Sequence, residues 1–149
     1  MHIFLDSSPL GLLSKPVQST EVVDITNWTA ACLTAGHKIY VPEVIHYEVR
    51  RELLRAGKAT GVAKLEGLKI IFRYVPITTA AIDLAAELWA KSRNRGTPTG
   101  DPKKLDIDVI LAAQALTQGI PTSNLIIATE NDKHLSRFAP ADQWQHMKL

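Results

Sequence analysis

The 149-residue sequence holds one cysteine, Cys32, so no internal disulfide can form and a zinc site with several thiolate ligands is excluded. A reducing compartment, the cytoplasm, fits that usage. Long apolar runs are also missing. The opening Met1-His2-Ile3-Phe4-Leu5 meets Asp6 too soon for the core of a signal peptide, and no stretch approaches the ~20 apolar residues of a membrane-spanning helix. Net charge is nearly absent: 17 basic residues face 15 acidic ones, for a formal +2. Long-range attraction for nucleic acid is therefore weak, and any RNA-binding surface must be a local patch. There is no internal repeat, no low-complexity segment and no phosphate-binding P-loop. What remains is a chain that is 46% hydrophobic, sufficient for one domain over residues 1–149 with its own core.

Apolar periodicity divides this chain into alternating strands and helices. His2 to Leu5 reads as a buried strand, ended by Asp6 and by a turn through Ser7, Ser8 and Pro9. Helical spacing of Val22, Val23, Ile25, Trp28, Ala31 and Cys32 predicts a helix over 19–35, with Ser19 or Thr20 as N-cap and Gly36 as its stop. Lys38 to Val41 follows as a strand, and Pro42 begins a helix carrying Ile45, Val49 and Leu53 as far as Gly57. A less regular helix covers 59–72, 74–77 is a strand and 79–93 a helix. The two Gly and Pro pairings in 96–104 predict a loop, and Ile107 to Gln118 a helix stopped by Gly119 and Pro121. Leu125 to Thr129 is a nearly all-apolar strand of the kind covered on both faces. A turn at 130–132, a short helix through Phe138 and a weak edge strand at 143–147 complete the chain.

Strands alternating with helices imply a three-layer α/β/α sandwich around a central parallel sheet, with ligands outside the carboxyl ends of the strands. Asp6 falls at that rim, as does the turn from Thr129 to Asp132. Glu48 lies one turn into the helix after the second strand, and Asp108 is placed in the first turn of the helix that follows the loop. Parallel strands would deliver all three carboxylates to one edge. Two carboxylates ~4 Å apart at an effective dielectric near 20 repel by about 4 kcal/mol, so such a cluster calls for a cation or a proton. Mg²⁺, a hard cation that takes oxygen ligands and bridges to phosphate, answers that need.

Each residue also has a plainer reading. Asp6 stands where an Asx turn or helix cap is equally common, Asp106 is the best N-cap for its helix, and Asp108 would favour the helix dipole. Yet Asp108 shares a face with Leu111, Ala112 and Ala115, so the acid sits on the apolar side. Glu48 has Glu43 and Glu52 as neighbours on its helix, where most glutamates are solvated.

Four segments resemble the motifs of the PIN-domain family. Ile3-Phe4-Leu5-Asp6-Ser7-Ser8-Pro9-Leu10 is similar to the first, and Val41 through Val49 to the second, with its in-helix Glu. Asp108-Val109-Ile110-Leu111-Ala112-Ala113-Gln114-Ala115-Leu116 resembles the third, with Leu111 interposed before the alanines, and Ile126 through Leu135 the fourth. They run in family order from residue 3 to residue 135. The resemblance implies a doubly wound α/β fold, Mg²⁺ or Mn²⁺ dependence, and hydrolysis of single-stranded RNA by a metal-activated water. It carries the acidic roles onto Asp6, Glu48 and Asp108, and places Asn131 in a slot that is Asp in some members. Ser8 stands where many members have Asn.

Around these residues, Asp106 is a candidate outer ligand and Thr129 a candidate support for Asp6 or a water. His134 is a candidate phosphate contact, with a surface or packing role as the alternative. Arg50, Arg51, Arg55, Lys103 and Lys104 are candidate guides for an RNA backbone or a solvated basic face. Small proteins of this family look like the toxin halves of bacterial toxin-antitoxin pairs, which implies a small antitoxin partner and a homodimer. The apolar positions and tryptophans of the helices over 19–35 and 79–93 point the same way. The alternatives are a stand-alone RNA-processing nuclease and a non-catalytic RNA- or protein-binding module with the same fold. A haloacid-dehalogenase-like phosphatase is disfavoured, since Ser8 stands where it needs a second Asp.

Overall fold

The computed structural model describes residues 1–16, 18–95 and 102–149, with the side chains of Pro102 and Lys103 outside the description. Its centre is strand β1 (His2–Leu5), whose Ile3, Phe4 and Leu5 are wholly buried, as a strand covered on both faces requires. Strand β2 (Lys38–Pro42) pairs with one side of β1 and β4 (Leu125–Thr129) with the other. Short edge strands β3 (Arg73–Val75) and β5 (Ala141–Gln143) complete a sheet of order β3-β2-β1-β4-β5, in which every pairing is parallel.

Parallel neighbours need crossover connections, and these supply the outer layers. Helices α1 (Ser7–Leu13) and α2 (Thr20–Thr34) link β1 to β2, while α3 (Glu43–Arg55) and α4 (Ala59–Ile71) link β2 to β3. Helices α5 (Thr79–Asn94) and α6 (Pro102–Leu116) carry the chain back to β4, and the single turn α7 (Asp132–Leu135) leads to β5. Because the chain steps outward from β1 to β3 and then returns to β4, the direction of winding reverses between β1 and β4. At such a switch point the flanking connections diverge and open a crevice at the carboxyl ends of the strands.

Local chemistry explains most element ends. Ser19 caps α2 by accepting from the Val22 amide at 3.3 Å, and Gly36, at φ +88, supplies the left-handed residue that turns the chain into β2. Thr78 caps α5 in the same way, accepting from Ala81 N at 3.1 Å. The core is continuous across the sheet, with Phe4 stacked on Tyr40 at 4.5 Å and Trp28 tilted against Trp144 at 5.8 Å. A second cluster joins α5 to α6 through Ala81, Ala85, Leu105, Val109 and Ala113, in which the small alanines let the two helices approach closely.

Four expectations are corrected. The segment after Asp6 is helix α1: Asp6 caps it by accepting from Ser7 N at 2.7 Å, and Pro9 falls in the first turn, where its missing N–H costs no bond. Pro42 ends β2 and stands just before α3. Helix α6 starts at Pro102, five residues before Ile107, because proline is suited to a first helical position. Asp106 is therefore inside the helix and exposed, not its N-cap, and Asp108 is in the second turn rather than the first. The C-terminal strand covers Ala141–Gln143, and Trp144, buried against Trp28, begins a 3-10 turn. Of the loop expected over 96–104, residues 96–101 lie outside the described residues and 102–104 are helical.

Candidate functional site

The register of β1 and β4 places Leu5 opposite Ala128, so that the next residues, Asp6 and Thr129, leave the sheet side by side. The Asp6 amide continues the ladder by donating to Ala128 O at 3.0 Å. Its carboxylate is held at both oxygens: Oδ1 accepts from Ser7 N at 2.7 Å and Oδ2 from the Thr129 hydroxyl at 2.7 Å. Thr129 is fully buried, and its oxygen also accepts from Asn131 N at 2.9 Å, which fixes the turn after β4.

Asp6, Glu48, Asp108 and Asn131 line one cleft of about 430 Å³, together with Ser8, Thr129 and Lys104. Asp6 and Asp108 are each 8% exposed and Glu48 is half-buried. Burial pushes the Asp6 carboxyl up to about 6; the bonds from Thr129 and Ser7 oppose that rise, and the charges of Asp108 and Glu48 add to it. Asp108 is also raised, first by burial and then by Glu48, while a bond from His134 acts the other way. That bond runs from Nδ1–H of His134 to Asp108 Oδ2 at 2.7 Å. Three carboxylates from three separate elements thus feel one another across the rim.

Of the remaining candidates, His134 stands behind Asp108 and does not line the cleft. Asp106 points outward and is not brought in. Among the basic residues, Arg55 pairs with Glu52 at 2.9 Å and Arg50 lies 3.7 Å from Glu66, whereas Lys104 reaches the cleft. The Lys103 side chain lies outside the described residues. Among the described residues, no three histidine, cysteine or acidic side chains stand close enough to enclose a metal ion by themselves.

Two supporting residues escaped the sequence reading. Gln114, with no exposed surface, accepts from Val44 N at 3.2 Å and donates to Val75 O at 2.8 Å, tying α6 to the first turn of α3 and to β3. It thereby fixes the helix of Asp108 relative to that of Glu48. Its signal was a lone amide in the apolar run Val109 to Leu116. Glu43, grouped with solvated glutamates, accepts from Tyr74 Oη at 2.9 Å and Ile77 N at 2.8 Å, and these bonds hold its carboxyl below the usual range.

Comparison with known proteins agrees with this architecture. Residues 3–140 match the PIN domain, and the chain belongs to that family. No curated protein sequence matches it. Among solved structures it is similar to a chain of VapBC2 from Rickettsia felis, in a structure bound to a DNA fragment from their promoter. The two share 15% identity at TM-score 0.71, covering 97% of this chain and 99% of that one. A chain of VapBC-1 from nontypeable Haemophilus influenzae gives 13% identity and TM-score 0.66, with 97% and 99% covered. One from DNA-bound VapBC of Salmonella typhimurium gives 16% and 0.60, with 97% and 98% covered. At these identities the likeness is one of fold. Among the described residues no helix is long and apolar enough to cross a membrane.

Proposed function

We propose that residues 1–149 form one Mg²⁺-dependent endoribonuclease domain that cleaves single-stranded RNA, with Asp6, Glu48 and Asp108 as the metal-holding and catalytic carboxylates and Asn131 as an accessory ligand. The observation that carries this reading is the delivery of three acids, from the turn that follows β1 and from α3 and α6, into one cleft at the switch point of a parallel sheet. Structural carboxylates are normally paired with cations, but here Asp6 is buried among other acids and carries a raised pKa. The donor set suits Mg²⁺ or Mn²⁺: all oxygen, with no cysteine at hand. Mg²⁺ keeps several waters and is commonly held by one or two carboxylates together with substrate phosphate, so three protein ligands need not close on it unaided. When bound, such an ion supplies a water of lowered pKa and neutralises phosphate charge.

The chain's own groups prepare that chemistry. Thr129 and Ser7 N hold Asp6 in one orientation, His134 holds Asp108, and Gln114 sets the separation of α3 and α6. Lys104, which lines the same cleft, is a cation available to a phosphate oxygen. The VapBC likenesses support a toxin held by a small antitoxin; that it works in the cytoplasm as a homodimer is part of the proposal. Cleavage of mixed single-stranded RNA is expected with Mg²⁺ or Mn²⁺, and not in EDTA or with Asp6→Asn. Full activity in chelator would overturn the metal-dependent reading.

A further inference from the structure

Helix α3 presents an aromatic ring on the face next to that of Glu48, lining a hollow that is joined to the acid cleft by way of Arg51. Tyr47, adjacent in sequence to Glu48, is 56% exposed, and its ring is covered on one side by the Arg51 guanidinium, whose carbon lies 5.1 Å from the ring centroid. Spacing on the helix makes this arrangement: Tyr47 and Arg51 are one turn apart, and Arg51 is also three residues from Glu48. Arg51 lines two hollows. One, of about 840 Å³, is shared with Glu48 and Lys104 and runs on from the cleft; the other, of about 740 Å³, lies on the Tyr47 side.

Charge on the Tyr47 side favours an anionic chain. Its two carboxylates are already engaged: Glu43 by Tyr74 and Ile77, and Glu66 by Nε2–H of His46 at 2.8 Å, with Lys69 at 3.5 Å. Arg51 has no carboxylate within ion-pairing distance among the described residues, unlike Arg50 and Arg55 on the same helix. An exposed ring with a guanidinium on one face, on a hollow joined through Arg51 to a candidate phosphodiester-cleaving site, has the parts needed to stack a nucleobase and neutralise its phosphate.

We infer that Tyr47 and Arg51 form a stacking platform for an unpaired base that flanks the cleft, so that α3 grips single-stranded RNA through a base as well as through its backbone. The inference rests on the nuclease reading above. It adds to that reading a reason for preferring single strands, since a base held in a duplex cannot reach the ring.

The test uses the full-length chain in an Asp108→Asn background, to prevent turnover, and fluorescence anisotropy with a short oligouridylate and with versions made abasic at one position in turn. Tyr47→Ala is expected to weaken binding by about 5- to 150-fold, the usual range for one base–aromatic stack, while Tyr47→Trp retains it. One abasic position should weaken binding to the protein that keeps Tyr47 and add no further loss to Tyr47→Ala. Arg51→Ala should lower both affinity and its salt dependence, whereas Tyr47→Ala should leave the salt dependence unchanged. Equal affinity with and without the Tyr47→Ala substitution would overturn the platform while leaving the nuclease reading intact. Absence of RNA binding and of Mg²⁺-dependent cleavage by the wild-type chain would overturn both. A change of oligomeric mass in Tyr47→Ala, with a loss of RNA affinity that ignores which base is missing, would make the ring a protein contact and refute the proposal.

Discussion

Asp6 lets the candidate site be tested without any substrate. Its carboxyl titrates near 6 in the folded protein, against an ordinary value of 3.8. A raised acid holds its proton to higher pH in the native state than in the unfolded chain. Between pH 4 and 6 the native state therefore binds more protons, and the group's contribution to stability declines as pH rises, levelling off above about 6. At about 1.36 kcal/mol per unit, the gap between 3.8 and about 6 amounts to roughly 3 kcal/mol. Asp6→Asn removes the titration while keeping the size of the side chain, so groups that do not feel Asp6 cancel when the two proteins are compared, leaving Asp6 and its coupling to Asp108 and Glu48. Urea unfolding in EDTA at a series of pH values should show the variant gaining on the wild type by about 2.4 kcal/mol between pH 4 and pH 7, the rest of the gap falling below pH 4 where the unfolded chain begins to ionise. Mg²⁺ at pH 7 should then stabilise the wild type and leave the variant almost unmoved. If the difference stayed flat across this range, burial would not be raising Asp6, and a difference shifting towards the wild type would make Asp6 a plain helix cap with a depressed pKa.

Three further outcomes follow from the same geometry. Thr129→Val deprives both Asp6 Oδ2 and Asn131 N of a buried partner and should cost about 1–3 kcal/mol in thermal or urea melts, with Asp6 titrating higher still as its bond is lost. Gln114→Ala leaves Val44 N and Val75 O unsatisfied and opens a cavity; a loss of roughly 2–5 kcal/mol in urea unfolding is expected, and under 1 kcal/mol would show that the clamp is not used. Asp108→Asn should abolish cleavage while leaving the metal-free protein at pH 7 at least as stable as wild type, because Asp108 is also raised by burial and by Glu48; a destabilised but active variant would remove it from the site.

The sheet was legible because its central strands are nearly unbroken apolar runs, and Ile3 to Leu5 and Leu125 to Ala128 can only be buried on both faces. Strand positions then placed Asp6 and Thr129 at one rim without any knowledge of their contact. Helix starts were harder to read. The run Ser7-Ser8-Pro9 has the composition of a turn and also of a first helical turn, and only the Asp6 cap together with burial of Leu10, Leu12 and Leu13 decides for helix. Pro102 had the same ambiguity, which displaced Asp106 and Asp108 by more than one turn. Periodicity still put Asp108 on the buried face, since that depends on spacing from Leu111 and Ala115 and not on where the helix begins. Gln114 and Glu43 could not be assigned from sequence, because their partners are 39 and 70, and 31 and 34, residues away respectively.

The side-by-side placement of β1 and β4 also governs when the site can exist. Asp6 and the threonine that anchors it are separated by 123 positions, and β4 inserts beside the first strand made. A nascent chain that has completed α5 has exposed Asp6 and Glu48 but lacks Asp108, Thr129 and the far wall of the cleft. Such a partial chain has no complete site, whatever local structure it has formed. Pairing of β1 with β4 across 123 positions thus coincides with assembly of the cleft, and the entropy of closing that loop must be met before the site exists. The ribosome synthesising this protein would therefore carry no folded cleft until nearly the whole sequence has emerged.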